Sequence, residues 1–292
     1  MYTTRPKGTD MRECLFKNVS AKRLPFGTQQ RKVCIFKRFI SKLSHAFKNR
    51  GEQRTMIYVI SDLHGYPLEK FQALLQKAKF SESDFLYILG DVVDRNGDGG
   101  VEMLGWLTEQ PNIQLLLGNH EAMLLACSFV FDEITEQSVK ALTAEKFQIL
   151  NTYMQNGGAV TLQALRALRK TAPRKISEIL EYLREAPLYE AVTVGKRDFL
   201  LVHAGLGDFE PHKKISQYDM HDLLWSRPSL QDEYFDDILT IFGHTPTMYY
   251  GEMYTGKILK TRTWINIDVG VGSGQPPVLL RLDDLREFYA EA

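Results

Sequence analysis

Cysteine is scarce in this chain of 292 residues: only Cys14, Cys34 and Cys127 occur. Three thiols cannot all be bridged, and none stands in a metal-type pair. A disulfide framework and a thiolate metal site are therefore excluded, and a reducing, cytoplasmic compartment is expected. Long apolar runs are missing too. Nothing approaches the roughly 18 to 20 residues a membrane-crossing helix needs; the runs at 57–60 and 199–202 are strand-sized. No apolar centre of the kind a secretory signal carries sits in the N-terminal segment, so that segment is not read as one. Internal repeats and low-complexity tracts are absent, and net charge is zero, with 36 Lys and Arg against 36 Asp and Glu.

That zero hides an asymmetry. Residues 1–55 hold 14 basic and 3 acidic residues, whereas the remainder holds 22 and 33. A basic arm of this kind reads in three ways: a solvated, flexible extension, a tether to nucleic acid or an anionic membrane surface, or a strap folding back on the acidic body. Its stretch 33–47 (VCIFKRFISKLSHAF) mixes apolar residues with Lys and Arg at helical spacing, which suits a short amphipathic helix on a surface. The chain is accordingly divided into an N-terminal extension, 1–55, and a main domain, 56–292.

From Met56 the pattern alternates between strand and helix. Residues 56–61 (MIYVIS), 85–89 and 113–117 are short apolar β-rich runs, each followed by a loop and a helical stretch. Repeated strand–loop–helix units argue for an α/β fold with a parallel core whose strands are buried on both faces. Residues 133–187 read as a helical insert, broken at Gly157-Gly158 and at Pro173. Strands return at 188–194, 199–202, 238–242, 264–267 and 278–282. Met103, Leu104, Trp106 and Leu107 form one buried helix face, and Leu162, Leu165 and Leu168 alternate with Arg166, Arg169 and Lys170 as an amphipathic helix.

Polar residues fall at the ends of those strands. The first ends in Ser61-Asp62-Leu63-His64-Gly65, the second in Gly90-Asp91-Val92-Val93-Asp94-Arg95, the third in Gly118-Asn119-His120-Glu121. Later strands end in His203-Ala204-Gly205 and Gly243-His244-Thr245. Four of the seven histidines occupy such ends, which is where open α/β sheets bind ligands. Carboxylate, imidazole and carboxamide donors without thiolate suit Mn²⁺, with Fe or Zn as alternatives. Two cations about 3.5–4 Å apart would need one bridging aspartate and would activate a water against a phosphoryl group. Arg95 is placed to neutralise phosphate oxygens, and a histidine beside a carboxylate fits as proton donor to the leaving oxygen.

Taken together, Asp62-x-His64-Gly65, Gly90-Asp91-x-x-Asp94-Arg95 and Gly118-Asn119-His120-Glu121 resemble the three signature motifs of the phosphoprotein phosphatase (PPP) branch of metallophosphoesterases. His203-Ala204-Gly205 and Gly243-His244 are similar to its two downstream metal-histidine motifs. The resemblance runs in order from about residue 56 to 282. It implies a sandwich of two mixed β-sheets flanked by helices. It also implies that Asp62 and His64 hold one divalent metal, that Asp91 bridges, and that Asn119, His203 and His244 hold the second. His120 would be the general acid, oriented by Asp94, while Arg95, Asn119 and, more loosely, Arg227 would contact the phosphate.

Two departures stand out. Asn96 replaces the usual glycine after Arg95, and the turn is expected to survive because asparagine tolerates left-handed backbone. Ile267-Asp268-Val269-Gly270 resembles a segment of bacterial members, with Asp268 either supporting the site or only forming the turn. The first expectation for substrate is phosphoserine or phosphothreonine in proteins; the alternative is a dinucleoside polyphosphate, and a minor one is a catalytically silent scaffold. Nucleic acid is not expected as a partner of the acidic body, whereas peripheral membrane contact through the basic arm is left open.

Overall fold

A computed structural model describes residues 55–291, so the arm, with its 33–47 stretch, lies outside the described residues. Strand β1 (Ile57–Ile60) leads into helix α1 (Leu68–Lys77), β2 (Phe85–Ile88) into α2 (Val101–Leu107), and β3 (Ile113–Leu115) into α3 (Asn119–Ala126). These three strands are parallel, with Ile57 opposite Phe85 and Leu86 opposite Ile113. Both faces of β1 and β2 are covered, which explains their unbroken apolar runs. Alternation sorts the side chains: Tyr58, Ile60, Leu86 and Ile88 point to the helices, while Val59, Phe85 and Tyr87 point to the second sheet. Helix α1 supplies Phe71, Leu74 and Leu75 at the spacing of one helical face.

The helical segment follows as α4 (Glu136–Lys140), α5 (Ala144–Tyr153), α6 (Ala159–Thr171) and α7 (Pro173–Arg184). Its expected breaks have distinct causes. Gly157 takes φ 100° inside a π-turn, Met154–Gly158, between α5 and α6. Pro173 begins α7 at the position where a missing N–H costs nothing. Ile176, Ile179, Leu180 and Leu183 of α7 and Leu162 and Leu165 of α6 bury against the first sheet's helices. Met103, Leu104 and Leu107 are buried as expected, with Trp106 partly covered.

The second sheet is built from β4 (Tyr189–Val194), β5 (Arg197–Val202), β6 (Ile238–Phe242), β7 (Leu259–Lys260) and β8 (Trp264–Asn266), with the short helix α8 (Met220–Leu224) between β5 and β6. Strands β9 (Val278–Arg281) and β10 (Arg286–Tyr289) return to the first sheet. Strand orders are β10-β9-β1-β2-β3 and β4-β5-β6-β8-β7. Each sheet has a parallel centre and antiparallel additions at its edges, and the two pack through Val59, Tyr87, Leu201, Ile241, Ile265 and Leu280. The architecture is therefore the expected sandwich of two mixed sheets flanked by helices. No helix among the described residues is long and apolar enough to cross a membrane.

The carboxyl ends of both parallel centres meet along one edge. The Gly243 N–H bonds the His203 carbonyl at 2.8 Å within the second sheet, and Asp62 N–H bonds the Gly90 carbonyl at 3.1 Å within the first. Across the sandwich, His203 Nδ1 donates to the Leu89 carbonyl at 2.7 Å.

Candidate active site

Backbone strain gathers at this edge. Nine non-glycine residues among those described have positive φ, and six are Asp62, His64, Asp91, Asp94, Arg95 and His244. Each such conformation costs about 1–3 kcal/mol and persists only where the surroundings enforce it. The strain turns side chains of successive loops inward onto one point.

Asp91 occupies that point. One side-chain atom each of His64, Asp91 and His120 lies within 4.8 Å of the others, and the same holds for Asp91, His203 and His244. Asp91 is thus common to both clusters. Its Oδ2 stands 3.7 Å from His64 Nε2 and its Oδ1 3.5 Å from His203 Nε2. The Nδ1 atoms of His64 and His203 face the carbonyls of Val93 and Leu89, which only accept, so both rings carry the proton there. Their Nε2 lone pairs are left pointing at Asp91.

The donor set suits a cation. His203 Nε2 lies 2.9 Å from Asn119 Oδ1 although both are acceptors, and His244 Nδ1 lies 3.1 Å from the same oxygen. His244 Nε2 is buried with no partner among the described residues. Burial, helped by Glu121 and Asp62, drives Asp91 far above the usual carboxylate range; burial, helped by Asp268, does the same to Asp62. Converging lone pairs and crowded buried carboxylates are costly without a positive charge. Divalent metals fit these residues.

Asp62 is turned differently from the other expected ligands. Its carboxylate accepts the His244 N–H, at 2.9 and 3.1 Å, and the Ser61 hydroxyl. It belongs to neither three-residue cluster, and in this arrangement it clamps the two sheets together beside them.

His120 is held on three sides. Its N–H bonds Asp91 Oδ1 at 3.0 Å, its Nδ1 bonds Asp94 Oδ2 at 2.7 Å, and its Nε2 meets Arg95 Nη2 at 3.1 Å. Arginine only donates, so Nε2 accepts and Nδ1 carries the proton. Burial and then the Arg95 charge lower the His120 pKa to about 3, keeping the ring neutral at rest. Asp94 is fully buried, and burial raises its pKa to about 7 against the pull of Thr161, Tyr153 and Arg95.

Sequence reasoning missed what holds Asp94. Tyr153 Oη and Thr161 Oγ1 both reach Asp94 Oδ1 at 2.6 Å, and Thr161 Oγ1 also accepts the Asp94 N–H at 3.1 Å. The Gly157 carbonyl accepts the Arg95 N–H at 3.2 Å. All three residues belong to the helical segment. It reaches the site here as a buttress behind the Asp94–Arg95 loop.

Glu121 was missed in the same way. Its fully buried carboxylate accepts the N–H groups of Asp91, Val92, Val93 and Gly118 at 2.8 to 3.1 Å. This fixes the loop after β2 to the start of α3. A side chain at position 118 is forbidden: a Cβ there would lie 2.3 Å from Asp91 Oδ1. The signal was a Glu at the third position of a helix, where carboxylates commonly satisfy backbone N–H groups.

Arg95 and Arg227 are both exposed, at the rim of this buried set. Arg227 Nη1 bonds Thr245 Oγ1 at 3.3 Å, and its charge lowers the pKa of His203 and His244 after burial has done most of it. Asp268 does two things: it accepts the Gly270 N–H at 3.0 Å, closing its turn, and it is the charge that most opposes ionisation of Asp62. Asn96 corrects an expectation. The left-handed positions are Asp94, Arg95 and Gly97, not Asn96, whose side chain instead donates to the His64 carbonyl at 3.1 Å.

Residues 55–269 match the calcineurin-like phosphoesterase family. The chain is similar to a symmetrical bis(5'-nucleosyl)-tetraphosphatase of Acidovorax sp. (strain JS42), with 28% identity over 200 residues, 68% of this chain and 59% of that protein. Another protein of that name, from Chromobacterium violaceum, is 40% identical over 80 residues, 27% of this chain and 28% of its own length. The chain thus spans less than two thirds of the length of the curated relatives it matches. The crystal structure of a proposed diadenosine tetraphosphatase shares the fold, with a TM-score of 0.53 at 15% identity, covering 82% of this chain and 94% of that one.

Proposed function

The chain belongs to the calcineurin-like phosphoesterases, and from that premise we propose a two-metal hydrolase that splits a dinucleoside tetraphosphate with water. The observation that carries the hydrolase is Asp91, common to both ligand clusters. Support for the dinucleotide comes from relatives named for that activity, over 68% of this chain. They favour the alternative of the sequence reading over its first expectation, phosphoserine or phosphothreonine.

His64, Asp91, Asn119, His203 and His244 would hold the cations, with Asp62 beside them. Mn²⁺ is the first metal to try. When bound, the metals supply a water of lowered pKa and draw charge from the phosphoryl group. Arg95 and Arg227 would grip phosphate oxygens. Phosphate anions arriving beside His120 would offset the Arg95 charge that disfavours its protonation. The ring, oriented by Asp94, would then pass a proton from Nε2 to the leaving oxygen. Water adds across one P–O–P bond, and cleavage at the centre of the tetraphosphate yields two nucleoside diphosphates.

The test is turnover of diadenosine tetraphosphate against a phosphoserine peptide, side by side with Mn²⁺. Preference for the dinucleotide is expected. Strong preference for the peptide would restore the protein phosphatase reading and leave the metal site untouched.

A further inference from the structure

A dinucleotide needs somewhere to put a base, and a cavity of about 300 Å³ opens beside His64 and Arg95. That is the lower end of the volume range for small-molecule pockets. Gly65, the residue after His64, forms part of its wall, as does Asn96, the residue after Arg95. The two are in backbone contact, since a Cβ on Gly65 would lie 1.9 Å from the Asn96 carbonyl oxygen. Val271, Gly274 and Gln275 form another wall, in a turn closed by N–H bonds from Ser273 and Gln275 to the Gly270 carbonyl and from Gly274 to the Val271 carbonyl. That turn rests on the catalytic edge: a Cβ on Gly272 would lie 2.5 Å from Arg95 Nη1 and 2.9 Å from His64 Cδ2. The same two segments that carry His64 and Arg95 therefore continue into the cavity.

Its lining suits a flat heterocycle. Tyr66 is half-buried and packed from behind by the apolar core, and Pro67 and Pro276 add rigid apolar surface. Gln275 offers both a donor and an acceptor for base edges, and Lys70 and Glu291 put one charge of each sign on the lining. Aromatic side chains tolerate any base because every base has a π-face.

We propose that this cavity is a nucleoside subsite, taking the base of the nucleotide whose phosphate lies on Arg95. It rests on the dinucleotide reading and makes Tyr66 and Gln275 the residues that select nucleotides over other phosphate esters. A phosphopeptide would gain little from it.

The test is calorimetric titration of the full chain, loaded with Mn²⁺, with adenosine 5'-monophosphate and with ribose 5-phosphate, which share the phosphate and ribose but not the base. Wild type is expected to bind the adenine nucleotide about tenfold more tightly, within the range of one base–aromatic stack. Tyr66→Leu, which keeps apolar volume, and Gln275→Ala should each shrink that advantage toward about twofold while metal content and ribose 5-phosphate affinity stay unchanged. Because Gln275 lies outside the apolar core, its variant decides the matter if Tyr66→Leu fails to fold. Equal binding of both ligands by wild type, or an advantage that survives in the folded variants, overturns the subsite. Absence of dinucleotide turnover would instead defeat the substrate reading, and base discrimination in the titration is measured independently of it.

Discussion

The Tyr153 hydroxyl donates to Asp94 Oδ1 over 2.6 Å, while the other oxygen of the same carboxylate holds His120 Nδ1 at 2.7 Å. A side chain from the helical segment thus sets the carboxylate that sets the proposed acid. Hydrogen bonds to a charged group contribute about 1.5–3 kcal/mol. They also favour the ionised form of Asp94, whose burial already raises its pKa to about 7. Tyr153→Phe should therefore raise that pKa further and move the acid limb of the pH–rate profile to higher pH. A fall in kcat of about tenfold with little change in KM is expected. An unmoved limb, measured from pH 5 to 9, would reduce Tyr153 to packing.

The strand ends were legible because each motif is local. A short apolar run followed within a few residues by Asp, His or Asn names both the strand and a candidate ligand, and parallel pairing then brings those ends to one edge. Tyr153 and Thr161 were not legible, because they stand 59 and 67 residues from Asp94 and meet it only through helix packing. Nothing in YMQNGGAVT marks a tyrosine as a carboxylate's partner. Strands β7 and β10 also escaped notice: the first is two residues long, and the second, REFY, carries charges at its start. Lys260 of β7 and Arg286 of β10 are exposed, so these two lack the apolar run that betrays β1 and β2.

Replacing His120 by Asn should leave metal content intact: the ring stands in the first cluster beside His64 and Asp91, but its proposed task is proton donation, with its Nδ1 on Asp94 and its Nε2 on Arg95. General acids contribute about 10²–10⁴-fold, more for poorer leaving groups. The loss in kcat should thus be greater for a serine phosphate, which departs as an alkoxide, than for a dinucleoside tetraphosphate, which departs as a diphosphate. Equal losses on both substrates would count against proton donation by this ring.

Glu121→Gln tests the support of Asp91, the proposed bridging residue. The carboxylate accepts four N–H groups, and an amide would set its own NH₂ against some of them. An unsatisfied buried donor costs about 1–3 kcal/mol. A drop in Tm of several degrees, roughly 2–4 °C per kcal/mol for a domain of this size, should accompany weaker metal binding as Asp91 loosens. Calorimetry with and without Mn²⁺ measures both, and an unchanged Tm would mean that the loop after β2 holds itself.

Metal removal should make stability depend on pH in a defined window. In the metal-free protein, burial raises Asp94, Glu121 and Asp268 to about 7 and lifts Asp62 and Asp91 as well. A carboxylate raised in the folded state is fully stabilising below its unfolded pKa, and that contribution is lost as pH rises through the folded value. Burial moves His64, His120, His203 and His244 the other way, with His120 and His203 near 3. Their folded forms bind fewer protons, so they add stability as pH rises, but only up to the ordinary histidine pKa of about 6.5. The two sets oppose each other in mild acid, and above pH 6.5 only the carboxylates still act. Tm of the chelated protein should therefore fall from pH 6.5 to pH 8, while Mn²⁺, which neutralises those charges, should raise Tm more at pH 8 than at pH 6. Scanning calorimetry across that range decides it, and a metal-free Tm that climbs toward pH 8 would mean the carboxylates are not the dominant buried charges at this edge.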